Sequence, residues 1–134
     1  MKKAVNAIIF NNTTKKALII KRKEGIHSNK WAFPGGIVKK NETSKQALTR
    51  EIKEELGLDI KKIIKKIGEY KYLRKNKEKT YGKSYLVSVE IFKIKINLNE
   101  ISEFKWTTRE ELKKLDCVPG MDWEFMKALF ESTK

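Results

Sequence analysis

A chain of 134 residues is long enough to bury one real core and too short for two ordinary domains, so a single domain over residues 1–134 is expected. With 40 % apolar and 10 % aromatic residues disorder is disfavoured, the lone Cys117 excludes an internal disulfide or a multi-cysteine metal cage, and no run reaches the roughly 18–20 apolar residues that span a bilayer. The net charge of +14 favours anionic partners such as nucleotides, RNA or acidic lipids, although the basic residues come as scattered pairs (Lys15-Lys16, Lys61-Lys62), which is the pattern of a solvated surface.

Residues 4–10 and 17–22 are apolar runs separated by Asn11-Asn12-Thr13-Thr14, which predicts a β-hairpin. The N-terminus begins like a signal peptide, but Asn6 interrupts its apolar run and no small-residue cleavage site follows. A first strand and a cytoplasmic protein are therefore expected. Trp31-Ala32-Phe33 predicts a short strand stopped by Pro34-Gly35-Gly36. Residues 43–56 predict a helix ended by Gly57 in a left-handed cap. A strand follows at Ile63–Tyr72, then a polar, basic turn over Arg74–Lys83 and a long strand, Tyr85–Ile96. Tyr85, Val87, Val89 and Ile91 share one face of that strand, whereas Phe92, Ile94 and Ile96 take the other phase, which predicts a bulge. Phe104-Lys105-Trp106 is a further short strand, and Thr108 with Glu111 forms a capping box for a helix to Leu115. The last predicted helix starts near Asp122 and carries Phe125, Met126, Leu129 and Phe130. Irregular alternation of strands and helices predicts an α/β protein with a mixed sheet covered by helices.

The chemistry concentrates in residues 35–58. At about 100° per residue, Leu48, Ile52 and Leu56 form one apolar stripe, and Glu51, Glu54 and Glu55 fall on the adjoining arc with Arg50 at its edge. A solvated acidic face is the ordinary reading of a glutamate pair. Here three carboxylates crowd one arc beside a buried stripe, in a chain that is otherwise strongly basic. Such a cluster is more comfortable around a hard divalent cation, and oxygen-only ligands suit Mg²⁺ or Mn²⁺ rather than zinc. Gly35 and Gly36 allow close backbone approach and leave a carbonyl as a further oxygen ligand.

This segment resembles the Nudix hydrolase box, G-x5-E-x7-R-E-U-x-E-E-x-G-U with U aliphatic. Gly36, Glu42, Arg50, Glu51, Glu54, Glu55 and Gly57 fill the fixed positions, and Ile52 and Leu58 the aliphatic ones, so the box covers residues 36–58 without departure. The preceding Trp31-Ala32-Phe33-Pro34-Gly35-Gly36 is similar to MutT-like members. The resemblance implies an α/β/α sandwich with a central mixed β-sheet. It also implies Mg²⁺-dependent attack of water on a nucleoside diphosphate linked to another group. Carried over by position, Glu51, Glu54 and Glu55 bind metal together with the Gly35 carbonyl. Glu51 serves as base or orients the water, Arg50 holds the carboxylates, and Glu42 supports the loop. A further glutamate beyond the box joins the metal site in some members; Glu100 and Glu103 are the candidates, Glu90 a weaker one.

For the substrate, Trp31 and Phe33 are expected on one face, as core or as a nucleotide-pocket wall. Arg22 and Lys23 stand where such proteins place basic residues that meet phosphate or base, His27 is either solvated or a phosphate or ribose contact, and Gly36 adjoins the phosphates. Asp122 is either a helix cap or a base reader. The four tyrosines, Tyr70, Tyr72, Tyr81 and Tyr85, are interleaved with lysines, as a packed hairpin or as a surface that stacks single-stranded bases.

The first functional expectation is hydrolysis of a nucleoside triphosphate, an oxidised one such as 8-oxo-dGTP included, to the monophosphate and pyrophosphate. A chain that starts almost at its first strand favours this over ADP-ribose or nucleotide-sugar hydrolysis. An RNA 5′ pyrophosphohydrolase and a non-catalytic nucleotide- or RNA-binding module are also compatible with these residues. Monomer and homodimer both stay open.

Overall fold

Alternation along the first two strands organises the molecule. In the computed structural model, which describes residues 2–25, 27–73, 77–90 and 93–133, β1 spans Lys2–Asn11 and β2 spans Lys16–Arg22. Val5, Ala7, Ile9, Leu18 and Ile20 point into one core, and Ile8, Ala17 and Ile19 into a second. This is the period-2 pattern of strands buried on both faces.

The other elements are β3 (Trp31–Ala32), β4 (Gly35–Ile37), α1 (Ser44–Leu56), β5 (Ile60–Leu73), β6 (Lys79–Val89), β7 (Ile101–Thr107), α2 (Arg109–Leu112) and α3 (Met121–Ser132). The strands run in the order β3-β2-β1-β6-β5, with β4 also on β1 and β7 also on β2. β1 is parallel to β6 from Lys2 opposite Thr80 to Ile9 opposite Val87, and the other strand pairs are antiparallel, so the sheet is mixed. Helix α1 closes the first core through Ala47, Leu48, Ile52 and Leu56. Helices α2 and α3 close the second through Leu112, Met121, Phe125 and Ala128. The result is the expected α/β class, a mixed sheet with helices on its two faces. No helix among the described residues is long and apolar enough to cross a membrane.

Several boundaries differ from those expected of the sequence. The predicted hairpin exists only at its tip, where Phe10 pairs with Ala17 and Asn11 with Lys16; beyond it β1 and β2 diverge to separate partners. β6 begins inside the predicted turn, at Lys79, and ends at Val89. The predicted phase change at Ile91 and Phe92 lies outside the described residues, as do Arg74 and Lys75 and the side chain of Tyr72. The irregularity sits on β5, whose pairing with β6 shifts register between Ile60 and Lys62, Ile63 and Lys65, and Lys66 and Gly68. Ile60 and Ile63, three apart, would face opposite sides of a regular strand. The intervening shift lets both pack against the α1 core.

Thr43 caps α1 with a reciprocal pair to Gln46, and Gly57 ends it at φ 69° with its N–H on the Lys53 carbonyl. The chain then returns over this end, where the Lys95 and Asn97 N–H groups donate to the Leu56 and Glu55 carbonyls, each at 2.9 Å. A Cβ at Gly57 meets nothing closer than 3.6 Å, so Gly57→Ala isolates the left-handed backbone penalty. It is expected to destabilise the chain by about 1–2 kcal/mol in urea unfolding, without loss of the site.

Helix α2 ends earlier than expected, at Leu112, although Thr108 does accept the Glu111 N–H at 3.1 Å. Gly120, at φ 89°, turns the chain into α3, so Asp122 lies within the first turn and is not the cap. The buried face is Met121, Glu124, Phe125 and Ala128, leaving Met126 and Phe130 exposed. The buried face is thus rotated from the expected stripe and packs through Phe125 on Phe10, their rings meeting edge to face at 5.0 Å.

Candidate active site

Helix α1 presents its acidic arc to the edge of the sheet where β4 begins. Leu48, Ile52 and Leu56 anchor the helix in the core, which leaves Glu55 fully buried, Glu51 half-buried and Glu54 half-exposed. A Cβ at Gly35 would collide with the Val5 carbonyl, which excludes a side chain there, and one at Gly36 would push the Glu51 carboxyl out of its place.

Glu55 is held from two sides. Its Oε1 accepts the Gly35 N–H at 2.9 Å, and its Oε2 accepts from Arg22 Nη1 at 2.6 Å. Arg22 Nη2 donates to the Gly35 carbonyl. Burial pushes the Glu55 carboxyl up to about 7, against the opposing pull of the Arg22 charge.

Arg50 organises the remaining acids. Its Nε donates to Glu42 Oε2 at 2.8 Å and its Nη2 to Glu42 Oε1 at 2.9 Å and the Ile37 carbonyl at 3.1 Å. Its Nη1 donates to Glu51 at 2.7 Å and Glu54 at 3.3 Å. Hydrogen bonds from Arg50 and from the Lys39 N–H bring the Glu42 carboxyl down to about 2. Burial raises that of Glu51, with Arg50 opposing.

Glu51, Glu55 and Glu100 each bring one carboxylate oxygen within 4.8 Å of the others. Glu100 lies in the turn before β7, which is tied to the end of β2 by the Lys23 N–H on the Glu100 carbonyl at 3.0 Å. Glu103 is elsewhere, paired with Lys21 at 3.4 Å. The donors are carboxylate and carbonyl oxygens, which fits Mg²⁺ or Mn²⁺. Arg22, bridging Glu55 to the Gly35 carbonyl, stands in for a cation at the same oxygens.

Beside this cleft lies a cavity of about 860 Å³ between the sheet and the start of α3. The two share Arg22, Glu24, Gly36 and Ile37 as a common wall. Of the residues singled out in the sequence, Phe33 and His27 line the cavity as well. Burial and Lys30 both lower the His27 pKa, favouring neutral imidazole.

Trp31, Lys23 and Asp122 do not line it. Trp31 is buried in the α3-side core, with Lys21 and Lys105 ammonium groups 5.0 and 5.7 Å from its ring centre. Lys23 is exposed. Asp122 is taken by Arg109, through Nε at 2.9 Å and Nη2 at 3.1 Å. Cys117 is structural, its Sγ reaching the Leu112 carbonyl at 3.5 Å. Among the cavity residues not assigned to it from the sequence are Tyr70, read there only within the tyrosine and lysine stretch, and Trp123 and Glu124. Their signal was slight: two polar-aromatic positions beside Asp122, and a tyrosine on a strand whose register sequence alone does not fix.

The chain matches the NUDIX domain family model over residues 1–129. It is 31 % identical over 111 residues to mRNA-decapping enzyme subunit 2 of Saccharomyces cerevisiae (strain YJM789), covering 81 % of this chain and 11 % of that protein. It is 45 % identical over 67 residues to an ADP-ribose pyrophosphatase of Methanocaldococcus jannaschii, covering 50 % of this chain and 38 % of that protein. The chain thus spans well under half the length of these curated relatives. Among solved structures it superposes on the crystal structure of a C. elegans Ap4A hydrolase binary complex with a TM-score of 0.80, at 22 % identity over 100 % of both chains.

Proposed function

Because the chain belongs to the Nudix family, we propose that it hydrolyses a phosphoric anhydride bond in a nucleoside diphosphate linked to another group, with Mg²⁺ or Mn²⁺ as cofactor. The substrate is a nucleoside triphosphate, an oxidised one such as 8-oxo-dGTP included, and the products are the monophosphate and pyrophosphate. One observation carries this reading: the carboxylate cleft and the large cavity share a wall at Arg22, Glu24, Gly36 and Ile37. A nucleoside held in the cavity presents its phosphates to the carboxylates.

Glu51, Glu55, Glu100 and the Gly35 carbonyl are the metal ligands in this reading, with Glu54 as the outer carboxylate on the same arc. A bound divalent cation neutralises anhydride charge and lowers the pKa of water. Arg50 fixes Glu51 through Oε1, which leaves Oε2 as proton acceptor for the attacking water. The burial that raises the Glu51 pKa makes it a better base. Arg22, at the junction, offers two N–H donors to a phosphate in the planar fork that suits such oxygens.

The test is phosphate release, with inorganic pyrophosphatase and Mg²⁺, from normal and oxidised triphosphates, ADP-ribose, dinucleoside polyphosphates and 5′-triphosphate RNA. Release from a triphosphate is expected, dependent on the pyrophosphatase and abolished by EDTA and by Glu51→Gln. No release from any anhydride by folded, metal-saturated protein would overturn the assignment.

A second reading, action on an RNA 5′ end, draws on the 31 % identity to the decapping subunit across 81 % of this chain and on the net charge of +14. RNA turnover would then fall with salt at a log–log slope of about −0.7 per phosphate contacted. Equal rates on RNA and on the free triphosphate remove that reading.

A further inference from the structure

We propose that Asn97 is the positioning residue that places Glu100 in the carboxylate cleft, and that it thereby sets the affinity of the chain for a divalent cation. This rests on the proposed metal site and goes further by naming what holds its ligand from outside the box. Glu51 and Glu55 are fixed by α1, whereas Glu100 comes from a separate turn and is exposed. Neighbouring side chains therefore do not wedge it in place, and its position follows from the backbone beneath it. Both backbone groups of Glu100 are bonded: its carbonyl accepts the Lys23 N–H and its N–H donates to the Asn97 carbonyl, each at 3.0 Å.

Asn97 itself bonds in three directions. Its N–H donates to the Glu55 carbonyl at 2.9 Å, one of the acceptors that the end of α1 leaves without a helical partner. Its carbonyl accepts the Ile101 N–H at 2.9 Å as well as that of Glu100. Its side-chain Oδ1 accepts the Asn99 N–H at 3.0 Å, which closes the turn over residues 97–100. The residue that supplies one proposed ligand is thus bonded, through Asn97 alone, to the turn that supplies another. On either side of that turn the chain is fastened by apolar contacts, with Ile101 fully buried in the α1-side core and Ile94 and Ile96 packed against it. These anchors set where the segment runs, and Asn97 sets how the turn between them is wound.

The winding matters because a small cation tolerates little error. Mg²⁺ takes its oxygens at about 2.0–2.1 Å, so two ligand oxygens on one ion stand at most about 4.2 Å apart. The oxygens of Glu51, Glu55 and Glu100 lie within 4.8 Å of one another, so a small side-chain adjustment brings them onto one ion, whereas an opened turn carries Glu100 out of reach. Alanine at position 97 leaves the Asn99 N–H to water and frees the turn. Serine keeps a neutral oxygen acceptor on a short arm, as it does when it replaces asparagine at the start of a helix.

The test measures Mn²⁺ binding to the full chain without nucleotide, by electron paramagnetic resonance of the free ion. Asn97→Ala is expected to weaken binding about tenfold, and Asn97→Ser to stay within about threefold of the wild type. Glu100→Gln, which removes the charge being placed, is expected to weaken binding at least as much as Asn97→Ala. Adding Asn97→Ala to Glu100→Gln should then cost under about twofold more, because the turn has no ligand left to place. A residue that only supported the fold would weaken binding equally in both backgrounds, and that result would overturn the proposal. So would wild-type affinity in Asn97→Ala. If the alanine variant does not fold, Asn97→Gln, which moves the acceptor out by one methylene, carries the same expectation. A wild-type chain that binds no Mn²⁺ would defeat the metal site and this inference with it. Binding weakened by Glu51→Gln but untouched by Glu100→Gln and Asn97→Ala would leave the metal site standing and overturn this inference alone.

Discussion

Glu55→Gln is expected to lower kcat/KM by about 10³-fold while the protein stays folded. The amide still accepts the Gly35 N–H, so the loop keeps its anchor. What disappears is one negative charge at the oxygens that hold a divalent cation. A metal contributes several kcal/mol to stabilising a phosphoryl transition state, and each 1.36 kcal/mol is tenfold in rate. Steady-state turnover with Mg²⁺ titrated to saturation checks this, and a loss under tenfold would remove Glu55 from the metal site.

The same substitution has a pH signature in metal-free protein. Burial raises the folded Glu55 pKa from its ordinary 4.5 to about 7. A group with a raised folded pKa contributes stability that is complete below the unfolded value and is lost as pH rises through the folded one. In EDTA, wild-type protein should therefore lose on the order of 3 kcal/mol on this account between about pH 4.5 and 7. The glutamine variant should lack that slope, matching the wild type at pH 4 and exceeding it at pH 8. Urea unfolding across the range measures it; parallel profiles would mean that Glu55 titrates as an ordinary carboxylate.

Arg50→Lys should cost about 10–100-fold in activity and raise the Mg²⁺ concentration for half-saturation. The guanidinium reaches Glu42, Glu51, Glu54 and the Ile37 carbonyl at once. Lysine has one compact charge and three donors at a single point, so it cannot span the loop and the helix together. The effect falls on the placement of Glu51 and on the loop, so kcat and metal dependence should move together. Unchanged metal dependence with lowered kcat would mean that Arg50 acts on the substrate and not through the carboxylates.

The box was legible because its residues are close in sequence and a single helix fixes their spacing; Arg50, Glu51 and Glu55 needed only the helical period, and Gly57 the cap that ends it. Glu100 and Glu103 were not separable. The choice depends on β7 beginning at Ile101, which leaves Glu100 in the turn facing α1 and sends Glu103 to Lys21. That Tyr70 and Glu124 line one cavity was not legible, for a similar reason. Their convergence depends on three register shifts in β5 and on α3 starting at Met121, both set by packing. Trp31 shows the converse. Its aromatic character suited a pocket wall, but the pairing of β3 with β2 turns it into the core between two lysines.

The parallel pairing of β1 with β6 sets an order on biosynthesis. Residues 4–6 pair with residues 35–37 early, but the parallel partners of residues 2–9 are made only at residues 80–87, so one edge of the first strand waits for more than half of the chain. During that interval two strongly apolar segments, Val5–Phe10 and Ala17–Ile20, are exposed on the nascent chain. Lysines 2 and 3 precede the first, lysines 15 and 16 separate the two, and Lys21 follows the second. Charges flanking unavoidable hydrophobic strands act as gatekeepers against intermolecular pairing. The lysines that flank these two strands thus place like charges at the ends of the edge left open by the parallel pairing.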